Sequence, residues 1–137
     1  MANSSRPKPA CCGWRAWARW AALFAHSAAI FFASSRSSFP ISVPAFPHAD
    51  KVGHALVYAV WGALCAFALD GSARRLGAVT LILLSTAAGA LYGASDEFHQ
   101  SFVPGRDVDG LDLLADTVGA CVGASIVVLR RGTRRLL

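Results

Sequence analysis

Four long apolar stretches alternate with short polar connections along this chain, and their lengths set its class. A helix that crosses a bilayer needs about 20 mostly apolar residues. Segments 20–35, 51–69, 76–95 and 110–129 qualify, with different quality. The first is uncharged and is extended by Trp14 and Trp17, aromatic anchors of the kind found at a membrane interface. The second is apolar from Ala55 onward, and the third is uncharged throughout. The fourth is apolar except for Asp112 and Asp116. The pattern predicts an all-α fold, an integral membrane bundle of four transmembrane helices. The connection 36–50 is rich in Ser and Pro, 70–75 is tight, and 101–109 contains a Pro104-Gly105 turn. A basic leader before the first span resembles a signal peptide. Its start is Trp-rich and Arg-interrupted, and no clear A-x-A site follows, so a retained helix is expected. The expected organisation is a basic cytoplasmic segment 1–19, a membrane domain 20–129 and a basic cytoplasmic tail 130–137.

Composition supports a membrane protein. Of the 137 residues 55% are hydrophobic and only 15% charged, where a soluble domain carries nearer a quarter charged. The net charge of +5 is unevenly spread. Ten of the thirteen Lys and Arg residues fall on one side of the predicted bundle: Arg6, Lys8, Arg15, Arg19, Arg74, Arg75, Arg130, Arg131, Arg134 and Arg135. Only Arg36, Lys51 and Arg106 fall on the other. The positive-inside rule then puts both termini in the cytoplasm. No basic stripe is interleaved with aromatics, so nucleic acid is not an expected partner; membrane lipids are. The four cysteines form no C-x-x-C pair, which excludes a zinc ribbon or a thioredoxin-type motif.

The acidic residues break this economy of charge. Seven of the eight lie at position 50 or between 96 and 116, and these stretches meet at one end of the bundle, the outward one. Ionisable groups at membrane depth are costly, so a functional site is the default reading. Helical spacing places Asp50, His54, Tyr58 and Trp61 on one stripe. Gly89, Gly93, Asp96 and Gln100 form a second, and Asp112, Asp116, Gly119 and Gly123 a third. Gly89/Gly93 and Gly119/Gly123 are both G-x-x-x-G, faces that let helix backbones approach closely. Asp96 and Asp116 then point inward. Asp116 lies about 9 Å below the outer end of its span at 1.5 Å per residue. A carboxylate there needs a partner, and His54, Lys51 and Arg106 are the candidates. Asp50 is also placed to cap the second helix, His26 reads as a hydrogen-bonded core histidine, and Asp107 and Asp109 read as solvated loop charges.

Asp50-Lys51-x-x-His54, Asp96-Glu97-x-His99-Gln100, Pro104-Gly105-Arg106 and Asp112-x-x-x-Asp116-x-x-Gly119, in that order, resemble the VanZ-like family. The match runs from about Asp50 to Gly123. Asp116 departs from the family pattern, which often has Asn there. The family takes its name from a teicoplanin-resistance accessory protein. The resemblance implies a small multi-pass protein of the cytoplasmic (inner) membrane linked to the cell envelope. It supplies no reaction.

Asp96, Glu97, His99 and His54 are the expected acid–base groups; Asp50, Lys51, Gln100, Arg106, Asp112 and Asp116 are expected to contact a substrate. Three functions fit: a membrane-embedded enzyme acting on an envelope lipid headgroup, a binding or masking protein of the envelope that alters access of a drug or lipid-linked precursor, or a small proton-linked transporter. A structural membrane protein without catalysis is a further alternative. Carboxylates outnumber cations, so a bare phosphate is repelled unless a divalent ion bridges it, the partner is itself cationic, or burial protonates several acids. Oxygen and imidazole donors suit zinc or manganese, but Glu97-Phe98-His99 has no known ligand spacing and no metal ligand set is assigned.

Overall fold

The computed structural model describes residues 11–37, 47–71 and 76–133 of the chain. They form four helices, α1 (Cys11–Ser34), α2 (Ala49–Asp70), α3 (Ala78–Gln100) and α4 (Gly110–Thr133). At 1.5 Å per residue, lengths of 22 to 24 residues give rods of about 33–36 Å, the thickness of a hydrocarbon core. Three of them, α2, α3 and α4, are long and apolar enough to cross a membrane, and the chain is a multi-pass membrane protein. The first helix is not among them. It extends back through residues expected in the N-terminal segment, so it takes in Arg15 and Arg19 besides His26, and these dilute its apolar stretch. Arg6, Lys8, Arg74, Arg75, Arg134 and Arg135, which carry much of the basic asymmetry, lie outside the described residues.

The G-x-x-x-G faces set the packing. α2 and α4 make the closest pair. A Cβ on Gly119 would collide with the Ala55 carbonyl, and one on Gly123 with the Ala59 carbonyl. In return, Gly62 of α2 rests against the Ala120 backbone. Backbone-to-backbone contact of this kind substitutes for the hydrophobic drive that lipid does not supply. α3 closes on α4 through Gly89, against Ala120, and Gly93, against Asp116. α1 lies along α2 and α3.

An aromatic cluster joins α1 to this core. Trp61 Nε1 donates to Ser27 Oγ (2.9 Å), and Tyr92 Oη donates to the Ser27 carbonyl (2.6 Å). The two rings stack with centroids 5.6 Å apart. Leu23, Ile30, Tyr58 and Cys65 complete the cluster. His26 reaches the Val57 carbonyl at 3.1 Å, the hydrogen-bonded role expected of it. Large apolar side chains such as Phe24, Phe32, Leu83, Leu91 and Leu129 face outward. An apolar exterior over a small-residue interior suits a lipid surround.

Candidate functional site

The three predicted stripes converge at the end of the bundle where α1 and α3 finish and α2 and α4 begin. On α3, Gly89, Gly93, Asp96 and Gln100 are all buried, and on α4 so are Asp112, Asp116, Gly119 and Gly123. On α2 burial grades with depth along one face: Asp50 is exposed, His54 half-buried, Tyr58 and Trp61 buried.

Local structure aims these side chains. Helix α2 starts at Ala49, after His48 in a left-handed conformation (φ 63°) with no side-chain cap bond. Asp50 therefore sits in the first turn of α2 and does not cap it; the helix dipole still favours its charge there. The capping carboxylate belongs to α4. Asp109 Oδ1 accepts from Leu111 N at 2.9 Å, and Asp109 Oδ2 lies 2.5 Å from Lys51 Nζ. Asp109 thus remains a part-exposed loop charge, as expected, but it is also paired with Lys51 and caps α4. The Lys51 ammonium bonded to it holds its carboxyl below the usual carboxylate range. Helix α3 runs on to Gln100, which carries Asp96, Glu97 and Gln100 in helical register onto the buried face. Gly105, at φ 79°, makes the turn that returns the chain.

The acidic residues form two groups. In the first, Asp96 Oδ2 accepts from Ser34 Oγ (2.8 Å) and from Gln100 Nε2 (3.0 Å). In the second, Lys51 Nζ meets Asp50 at 2.9 Å and Asp112 at 2.7 Å besides Asp109. His54 Nδ1 lies 3.0 Å from Asp116 Oδ1, and its Nε2 lies 4.0 Å from Asp112 Oδ2. Asp116, wholly buried, thus takes as partner one of the three groups the sequence offers it. Glu97 joins this group through Oε2, which accepts from Asp109 N at 3.1 Å. Glu97 Oε1, Asp116 Oδ2 and the Tyr58 hydroxyl are buried with no hydrogen-bond partner among the described residues. His54, Glu97 and Asp116 offer ligand atoms within 4.8 Å of one another, and among the described residues they form the group that could hold a metal ion.

A cleft of about 300 Å³ opens beside both groups. Its lining includes Asp50, His54, Tyr58, Asp96, Gln100 and Arg106, with Ile30, Ala33 and Val57 as apolar wall. Arg106, turned back over the bundle after Gly105, donates Nε to the Arg36 carbonyl at 3.3 Å. It shares the cleft with Asp96, whose described bonds come from Ser34 and Gln100. His99 is directed elsewhere: its Nε2 lies 3.0 Å from Ser35 Oγ and its ring lies against Phe31, centroids 4.5 Å apart.

Ser34 escaped the sequence reading. The signal was present in α1, where Leu23, Ser27, Ile30 and Ser34 recur at steps of four, three and four, one helical face. The inward aim of Glu97 was legible too, one turn beyond Gly93 on the glycine face.

The sequence model of the VanZ/LLP1 family matches residues 14–131, so it takes in all four helices and every residue of this site. No curated protein and no solved structure matches the chain. The order of the acidic and histidine motifs, the glycine faces that bring them to one end and the extent of the match lead to one assignment: the chain belongs to the VanZ/LLP1 family.

Proposed function

We propose that this protein holds the headgroup of an envelope lipid or lipid-linked precursor in the cleft, and so alters access of a glycopeptide antibiotic such as teicoplanin to its target. The observation that carries the reading is the two-sided lining of the cleft. Ile30, Ala33 and Val57 offer an apolar wall beside Arg106, Asp50 and Asp96. An amphiphile entering from the bilayer meets both. Arg106 suits an anionic group and Asp50 a cationic one. A zwitterionic headgroup, with both charges close together, matches this pair better than a bare phosphate does.

In this reading α1 crosses the membrane with the other three helices. It packs on α2 and α3 and turns Phe24, Phe31 and Phe32 outward. Both termini then lie in the cytoplasm, the site faces the outer leaflet, and the membrane is the cytoplasmic one. The basic asymmetry of the sequence supports this orientation.

The test is expression in a glycopeptide-sensitive bacterium of the full chain and of Asp96→Asn and Arg106→Ala variants, at matched membrane levels. The full chain is expected to raise the teicoplanin inhibitory concentration and to lower binding of labelled drug to cells. The two variants are expected to do neither. Native mass spectrometry of the purified protein should show a retained zwitterionic phospholipid, lost in Arg106→Ala. Unchanged susceptibility and no retained lipid, with the wild-type chain in the membrane, would overturn the reading.

A further inference from the structure

We propose that His54, Glu97 and Asp116 bind one divalent transition-metal ion of the zinc–manganese class. Each ligand comes from a different helix: α2 gives the imidazole, and α3 and α4 give one carboxylate each. Their ligand atoms lie within 4.8 Å of one another. Around an ion with bonds of about 2.0–2.2 Å, tetrahedral donors stand about 3.4 Å apart. A small inward shift of side chains suffices to close the three on an ion. Imidazole and carboxylate oxygen are the donors that zinc and manganese accept.

Proximity alone would not make a site, and a further observation points to a ligand. Glu97 and Asp116 are 5% and 0% exposed, yet Glu97 Oε1 and Asp116 Oδ2 have no hydrogen-bond partner among the described residues. Buried carboxylate oxygens are ordinarily satisfied, and an orphan pair needs a reason. Glu97 Oε2 is engaged by Asp109 N, which leaves Oε1 free, and Asp116 Oδ1 lies 3.0 Å from His54 Nδ1, a bond the imidazole would exchange for the ion on ligation. Gly93 lets the α3 backbone pack directly against Asp116, since a Cβ there would come within 2.8 Å of Oδ2.

The neighbouring cation does not serve these oxygens. Lys51 Nζ is held by Asp50, Asp109 and Asp112. The remaining ring nitrogen of His54 lies 4.0 Å from Asp112 Oδ2, beyond hydrogen-bond reach. Three protein ligands leave a coordination position for a ligand from outside, on the side where His54 lines the cleft. The proposal stands without the headgroup reading, because metal content can be measured with no lipid or drug present.

The test uses the full chain purified in detergent, stripped with a chelator and dialysed against zinc or manganese. Metal analysis is expected to give about one ion per chain. Cobalt(II) added to the stripped wild type should produce visible absorption bands that zinc abolishes. Asp116→Asn and His54→Gln should each weaken retention at least about tenfold, while His26→Gln, in α1, should not. Failure of the wild type to retain either ion or to give the cobalt bands would overturn the site, and this outcome does not depend on any variant folding. So would full retention by both ligand variants. A third outcome, no metal but higher thermal stability in Asp116→Asn, would mean that protons close the cluster, and would equally overturn it.

Discussion

The two ends of the bundle treat their charges in opposite ways. At the end where α2 finishes and α3 begins, Asp70 meets Arg131 of α4 at 2.8 Å, and Arg131 also donates to the Leu76 carbonyl. Arg19 reaches across from α1 to the Phe67 carbonyl and lies over its ring, 4.1 Å from the centroid. Among the described residues, the one carboxylate there faces a guanidinium, and that pair closes on itself. At the other end, Lys51 alone gathers three carboxylates, while Glu97 and Asp116 keep unpartnered oxygens beside a cleft. A closed pair ties helices together and asks for nothing more. An acidic group with buried, unsatisfied oxygens is costly as it stands, and such cost is retained where a ligand repays it.

The contact of α2 with α4 supports both ends, so it should be the most sensitive to change. Gly123→Leu drives a side chain into the Ala59 carbonyl and should cost about 3 kcal/mol, the upper end of overpacking penalties. The measurement is denaturant unfolding in detergent followed by circular dichroism. Gly53→Ala, where nothing lies within 4 Å, should instead stabilise α2 by about 0.5–1 kcal/mol. Equal behaviour of the two would mean that the close helix approach is not what holds the bundle.

Truncating a partner at each end sharpens the contrast. His54→Ala strips Asp116 of its described hydrogen bond in a wholly buried place and should cost about 1–3 kcal/mol. Asp70→Ala breaks a half-buried pair and should cost about 0–1 kcal/mol. The two variants, compared in one unfolding assay, should rank in that order; the reverse order would undo the distinction between the ends. Within the acidic end, Ser34→Ala removes one of the two donors to Asp96 Oδ2. Gln100 remains, so a loss of about 1 kcal/mol is expected.

The smallest effect concerns pH. Asp109 has its carboxyl held low by Lys51. A carboxyl whose folded value is depressed stabilises the protein above its unfolded value, about 3.9, and that contribution is lost as pH falls through the lower folded value. Asp109→Asn should therefore lower the thermal midpoint slightly at pH 7. The gap to wild type should shrink as pH falls below about 4, as far as the detergent permits. A gap that widens on acidification would show that Lys51 does not govern this carboxyl.

Much of the arrangement was readable from spacing. Period-3.6 counting brought Asp96, Gln100, Asp112 and Asp116 onto inward faces, because glycines four residues apart mark where backbones touch. The search for a cation near Asp116 led to three candidates, and packing selected His54. Other assignments could not be read this way. Asp109 follows a Pro-Gly turn and looks like a solvent charge in one dimension; it becomes the cap of α4 and a partner of Lys51 only once the loop folds back. Asp50 has the composition of a cap, yet His48 takes the position before α2. His99 belongs to the same motif as Glu97 but lies two positions on, about 200° round the helix, so it turns to Ser35 and Phe31.

Apolar length and helical period are local properties of the chain, so the class of protein, the helices α2 to α4 and the faces they bury could be read from it, whereas the start of α1 and its buried Ser34 escaped that reading. The sequence also determined that acidic and histidine residues would gather at one end, because that follows from alternating helix direction. Only the tertiary structure decided which oxygens were paired and which left over. Partnership at Asp116 depends on ångström-scale distances between helices, with His54 and Asp116 62 residues apart in the chain, and no periodicity within one helix encodes them.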